Sequence, residues 1–101
     1  MSDSEYRYII CYDISNDKRR RRLVRCLHFF GERVQESVFE AVLNASLMNK
    51  MQSTIAGIID PESDCVYIYP VTGINDSLIK RMGKSIMLSR QKKNITLFKV
   101  L

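Results

Sequence analysis

The stretch YRYIICYDI, residues 6 to 14, constrains the chain most strongly. It is short, rich in β-branched and aromatic residues, and apolar at odd and even positions alike. That pattern predicts a β-strand buried on both faces. CVYIYPV, residues 65 to 71, repeats it and is stopped by Pro70 and Gly73. A sheet covered by helices on one side only should present one polar face. Two strands apolar on both faces call for a second cover. In a chain of 101 residues the simplest cover is another copy, which predicts a face-to-face homodimer.

The residues between these strands supply the rest of the fold. Ser15 or Asn16 can cap a helix whose first turn receives Asp17 and which ends at Gly31. Leu23, Leu27 and Phe30 form its core stripe. On a helical wheel Lys18, Arg21 and Arg25 fall opposite that stripe. Arg19 and Arg20 flank it and are expected to reach back past the helix start toward Asp13. RVQESVFEAVL, residues 33 to 43, reads as extended with a kink or tight turn inside. A second helix is predicted from Asn44 to Ile58, with Leu47, Met51, Thr54, Ile55 and Ile58 inward. Asp60-Pro61-Glu62-Ser63 is a turn. A short helix over 75 to 87 and a terminal strand over 94 to 101 complete the chain. This order predicts a single α+β domain over residues 1–101. It is a ferredoxin-like βαββαβ antiparallel sheet with helices on one face and an appended C-terminal strand.

Charge points to a polyanion. The net charge is +5, and Lys18 to Arg22 are consecutive cations with Arg25 just behind. From Ser77 to Leu101 there are seven Lys or Arg and no acid. Such asymmetry favours nucleic acid first and an anionic membrane second. No apolar run approaches the length of a membrane span, which sets the membrane aside. Cys11, Cys26 and Cys65 stand singly in apolar surroundings, and His28 is the one histidine. Zinc and a Cys-His nucleophile are therefore not expected, and buried reduced thiols fit a cytoplasmic protein.

Several of these segments together resemble the CRISPR-associated protein 2 family. They are Tyr12-Asp13-Ile14, Asp17-Lys18-Arg19-Arg20, Gly31, Arg33-Val34-Gln35, Ser37-Val38-Phe39-Glu40 and Ile68-Tyr69, in the family's order and spacing. The resemblance covers residues 6 to 70 and loosens beyond. It implies a ferredoxin-like homodimer working in CRISPR spacer acquisition. There the dimer bridges two dimers of the CRISPR-associated integrase subunit, which performs the transesterification, and holds duplex DNA as a scaffold. It also implies an alternative, a magnesium-dependent endonuclease on RNA or double-stranded DNA, with paired Asp13 binding Mg²⁺ at the dimer axis. Topology alone allows a third reading, a ferredoxin-like RNA-binding module.

The individual residues keep more than one role open. Asp13 can bind metal, terminate the strand while pairing with Arg19 or Arg20, or serve the dimer axis structurally. One acid per protomer is few for two-metal chemistry. Lys18, Arg19, Arg20, Arg21, Arg22 and Arg25 are expected to contact phosphate without sequence preference. Lys84, Lys92 and Lys93 are weaker candidates for the same surface. Tyr12, Ser37 and Phe39 are motif or dimer-interface residues, with strand packing and dimer contact the expected role of Phe39. Tyr6, Tyr8, Tyr12, Tyr67 and Tyr69 can stack on bases, but their place in apolar strands favours core or interface. His28 reads as a surface or packed residue.

Overall fold

The computed structural model describes residues 4–71 together with 80, 82 and 83. Its elements are β1 (Tyr6–Asp13), α1 (Asp17–Phe30), β2 (Glu32–Gln35), β3 (Val38–Leu43), α2 (Ala45–Ala56) and β4 (Cys65–Pro70). The helix expected over 75 to 87 and the strand over 94 to 101 lie outside the described residues.

The strands form one sheet in the order β2-β3-β1-β4 with antiparallel neighbours. β1 and β2 run the same way with β3 inserted between them, and β3 and β4 do so with β1 between. That is the split βαβ arrangement of the ferredoxin-like fold. The extended run of residues 33 to 43 breaks at Glu36–Ser37, and β2 shifts register between Arg33 and Gln35, where Val34 is the extra residue.

Side-chain alternation sorts the sheet into two faces. Ile10 and Tyr12 of β1 and Phe39, Ala41 and Leu43 of β3 are buried beneath the helices. Leu23 and Leu27 of α1 and Met51, Ile55 and Ile58 meet them from above, as the helical periodicity predicts. Thr54 departs from the expected inward stripe. It is exposed and its hydroxyl donates back to the Lys50 carbonyl at 2.8 Å.

The helix starts follow their caps. The Asn16 side chain accepts from the Arg19 amide, and Asn44 from the Leu47 amide, both at 2.8 Å. Gly31 closes α1 by donating to the Leu27 carbonyl at 2.8 Å. It also sits against β3, where a Cβ would lie 2.1 Å from the Glu40 carbonyl oxygen.

The other face, carrying Ile9, Cys11, Val38, Val42, Tyr67 and Tyr69, has no covering element among the described residues. Arg7 and Glu40 pair across it at 3.5 Å. Val42, Tyr67 and Tyr69 are exposed there.

Candidate nucleic-acid interface

The end of β1 gathers four segments: the strand terminus, the start of α1, the β2–β3 turn and the start of β4. Asp13 pairs with Cys65 in register and points to the open face of the sheet, exposed. Beside it the Tyr12 amide donates to the Ser37 carbonyl at 3.2 Å. The Tyr12 ring is buried in the core, so its hydroxyl needs a partner. It donates to the Glu36 carbonyl at 2.9 Å. Arg33 donates to the same carbonyl through Nε at 3.1 Å and Nη2 at 2.7 Å. Its guanidinium lies 5.9 Å from the Phe39 ring centroid. The turn bearing exposed Ser37 is thereby fixed next to Asp13. Arg33 belongs to the family-like motif but had no role assigned from the sequence. The signal was a buried tyrosine near a turn, which demands an acceptor that a cation can share.

Phe39 takes the packing role expected of it, while its dimer contact and that of Tyr12 need correction. Both rings belong to the helix-covered core, Phe39 fully and Tyr12 almost so. A copy seated on the open face would not reach them. His28 is exposed, with its ring edge on Phe39 at 5.1 Å.

The cationic run divides in two. Arg20 donates to the Ile14 carbonyl at 2.9 Å and pairs with Asp17. Arg19 donates to Asp64 from Nε at 2.7 Å and from Nη2 at 3.1 Å, and to Ser63 Oγ at 3.4 Å. The Asp64 carboxylate is enclosed and also accepts from the Asp60 amide at 2.8 Å. Hydrogen bonds from Arg19 and the Asp60 amide hold the Asp64 carboxyl below the usual carboxylate range, and Asp64 raises Arg19 in turn. The expectation that Asp13 pairs with Arg19 or Arg20 is therefore corrected. Both arginines reach back past the helix start, but their acids are Asp64 and Asp17, closer to the helix layer. Lys18, Arg21, Arg22 and Arg25 are exposed, and none forms an ion pair among the described residues. Lys84, Lys92 and Lys93 lie outside the described residues.

The tyrosines also separate. Tyr67 and Tyr69 stack edge to face on the open face, with centroids 5.9 Å apart. A hydrogen bond with Cys65 pushes the Tyr67 hydroxyl up from its ordinary pKa. Tyr8 packs against the core, whereas Tyr6 is exposed. The expectation of buried cysteines holds only in part. Cys11 and Cys26 are half-buried, and burial pushes the Cys26 thiol up, but Cys65 is exposed.

Among the described residues no three His, Cys, Asp or Glu side chains are grouped so as to hold a metal ion. Asp13 at the strand end therefore belongs to no such cluster among the described residues. That donor fits magnesium only when a second carboxylate, water or phosphate oxygens complete the shell. No helix among the described residues is long and apolar enough to cross a membrane.

Comparison with known proteins bears on this arrangement. The family described as CRISPR associated protein Cas2 matches over residues 6–86. CRISPR-associated endoribonuclease Cas2 4 of Rhodospirillum rubrum is 39% identical over 79% of this chain. The chain spans 64% of that relative's length. A hypothetical protein from Thermus thermophilus has the same fold, with TM-score 0.73 and 34% identity over 81% of this chain and 95% of its own. A chain of a partial Cas6-RT-Cas1–Cas2 complex gives TM-score 0.57 and 29% identity, over 78% of this chain and 89% of that one.

Proposed function

The chain belongs to the CRISPR associated protein Cas2 family, and on that premise we propose that it is a homodimeric, duplex-DNA-binding scaffold of spacer acquisition. It bridges dimers of the integrase subunit Cas1 in the cytoplasm. The observation that carries this reading is the set of exposed cations on α1, Lys18, Arg21, Arg22 and Arg25, which have no acid partner among the described residues. Such a surface binds phosphate irrespective of sequence, which suits a scaffold that must accept foreign DNA of any sequence. The solved relative in a Cas1–Cas2 assembly supports the partner. The homodimer is supported by the open face. Its Ile9, Cys11, Val38, Val42, Tyr67 and Tyr69 give one side of the sheet a largely apolar surface, crossed by the Arg7–Glu40 pair. A second copy seated there brings both Asp13 side chains toward one axis.

The second reading is a magnesium-dependent endonuclease, favoured by the exposure of Asp13 and by the name endoribonuclease of the Rhodospirillum relative. Asp13 of two copies would hold the ion, whose chemistry there is activation of water for attack on a phosphodiester.

Spacer acquisition in cells carrying Cas1 and a CRISPR array separates the two. The scaffold reading expects Asp13→Ala to acquire normally and Arg21→Ala/Arg22→Ala to fail, with the dimer and the Cas1 complex intact in both. Loss of acquisition in Asp13→Ala with both assemblies intact would replace the scaffold by metal chemistry.

A further inference from the structure

Lys18, Arg21, Arg22 and Arg25 follow the spacing i, i+3, i+4, i+7, which places them on one face of α1. That arrangement is costly for an isolated helix. Lys18 with Arg22, and Arg21 with Arg25, are like-charge neighbours that repel. Lys18 and Arg21 also stand near the positive end of the helix dipole. Asn16 and Asp17 offset part of this at the cap. A polyanion laid along the face turns both costs into attraction.

Arg19 and Arg20 belong to the same run but not to this face. The Arg19 fork grips an enclosed carboxylate that closes the loop before β4, joining residues 45 apart in the chain. Asp64 directly precedes Cys65, which pairs with Asp13. The Arg19–Asp64 contact thus fixes the start of α1 against the start of β4.

We infer that the cationic run is functionally split. Lys18, Arg21, Arg22 and Arg25 form a phosphate track for one strand of a nucleic-acid duplex, and Arg19 with Asp64 is a latch that positions the track without touching phosphate. This rests on the DNA-binding reading above and refines it residue by residue. The track spans seven residue steps, or about 10.5 Å at the helical rise of about 1.5 Å. Backbone phosphates on one strand of a duplex advance about 3.4 Å per nucleotide along the axis. Laid along the duplex axis, the track therefore covers the axial rise of roughly three nucleotide steps. Neutralising four phosphates gives a slope of log K against log salt of about −3.6 per protomer, about 0.9 for each cation.

The test is a salt titration of the full chain binding a mixed-sequence DNA duplex, with a thermal melt of each variant. Arg21→Gln/Arg22→Gln should flatten the slope by about 1.8 per protomer and leave the melting temperature no lower than wild type, since two like-charge pairs are relieved. Arg19→Gln and Asp64→Asn should each lower the melting temperature, lose little more in combination, and keep the wild-type slope. Both are titrated below their own melting transitions, and the exposed Arg21/Arg22 pair keeps the test decisive should a latch variant fail to fold. A slope flattened by about 0.9 in Arg19→Gln, or steepened by about 0.9 in Asp64→Asn, would make Arg19 a phosphate ligand and overturn the split. An unchanged slope in Arg21→Gln/Arg22→Gln would remove the track while leaving DNA binding itself intact. Absence of wild-type binding at low salt would overturn the DNA-binding reading and the split together.

Discussion

Gly31→Ala tests how α1 is joined to the sheet. The new Cβ would stand 2.1 Å from the Glu40 carbonyl oxygen and 2.9 Å from the Ala41 Cβ. The oxygen belongs to β3 backbone and cannot swing away as a side chain would. Relief to even 3.0 Å requires a separation of about 0.9 Å between the junction and β3. A ladder hydrogen bond near 2.9 Å does not survive such a stretch. β2 holds β3 through three register pairs, interrupted by a shift, so it has little pairing to spare. Overpacking costs about 1–3 kcal/mol, and losing two ladder bonds adds about 1 kcal/mol each, for a total of about 3–5 kcal/mol. Each kcal/mol moves the melting temperature of a domain this size by about 4–8 °C. Circular-dichroism melts should show Gly31→Ala falling by at least about 12 °C. Gly57→Ala is the control. Its φ and ψ of −81° and −8° are helical and its nearest contact is 3.6 Å. It should be neutral or stabilising by up to about 1 kcal/mol. A Gly31→Ala melt within about 5 °C of wild type would refute the close-approach reasoning.

Other changes probe the strand end and the latch. Tyr12→Phe removes one donor to the Glu36 carbonyl while Arg33 still satisfies that acceptor. It should cost only about 0.5–1 kcal/mol in a denaturant titration. Asp64 has a folded pKa below its usual value of 3.8, so its contribution is present above that pH and is lost as pH falls through the lower folded value. Melting temperature against pH should therefore decline more steeply below about pH 4 in wild type than in Asp64→Asn, and parallel curves would sink the assignment. Cys65 is exposed on the open face while Cys26 is half-buried with its thiol pushed up, so iodoacetamide should label Cys65 first. That labelling should slow as rising protein concentration drives the open faces together. A concentration-independent rate alongside a dimer in sedimentation would place the dimer contact elsewhere.

Much of the fold was legible because local and global signals agree. The β1 run, the Asn16 and Asn44 caps, the Leu23–Leu27 stripe and the Asp60 turn each specify their element through short-range chemistry. The break at Glu36–Ser37 was legible as a length conflict within one extended run. Cross-strand and cross-loop partners were not. Nothing near Arg19 in sequence marks Asp64 as its acid, because the contact is created by the return of β4 beside β1. The doubly apolar strands pointed to a second apolar face, which has no covering element among the described residues, but could not tell that Tyr12 and Phe39 lie on the helix side. That depended on register, which a one-residue shift would have inverted.

Register also bears on the choice between scaffold and nuclease. Asp13 projects from the open face of the sheet, whereas Lys18, Arg21, Arg22 and Arg25 project from the outer side of the helix layer. A nuclease normally grips its substrate beside the acid that holds the metal. Here the proposed grip faces outward from the helix layer and the acid faces out from the sheet. Duplex DNA, stiff over about 150 base pairs, does not fold around the end of a single sheet to meet both. On the proposed reading, duplex bound on α1 would be held away from Asp13, as a scaffold requires. Magnesium-dependent cleavage centred on Asp13 is then expected to act on flexible single strands and to be independent of the α1 track. Purified Arg21→Gln/Arg22→Gln should bind duplex more weakly yet cleave single-stranded RNA as wild type does, and Asp13→Asn should keep duplex binding and lose cleavage. Equal loss of duplex binding and RNA cleavage in the arginine variant would show that one continuous surface serves both, and would restore Asp13 to the DNA site.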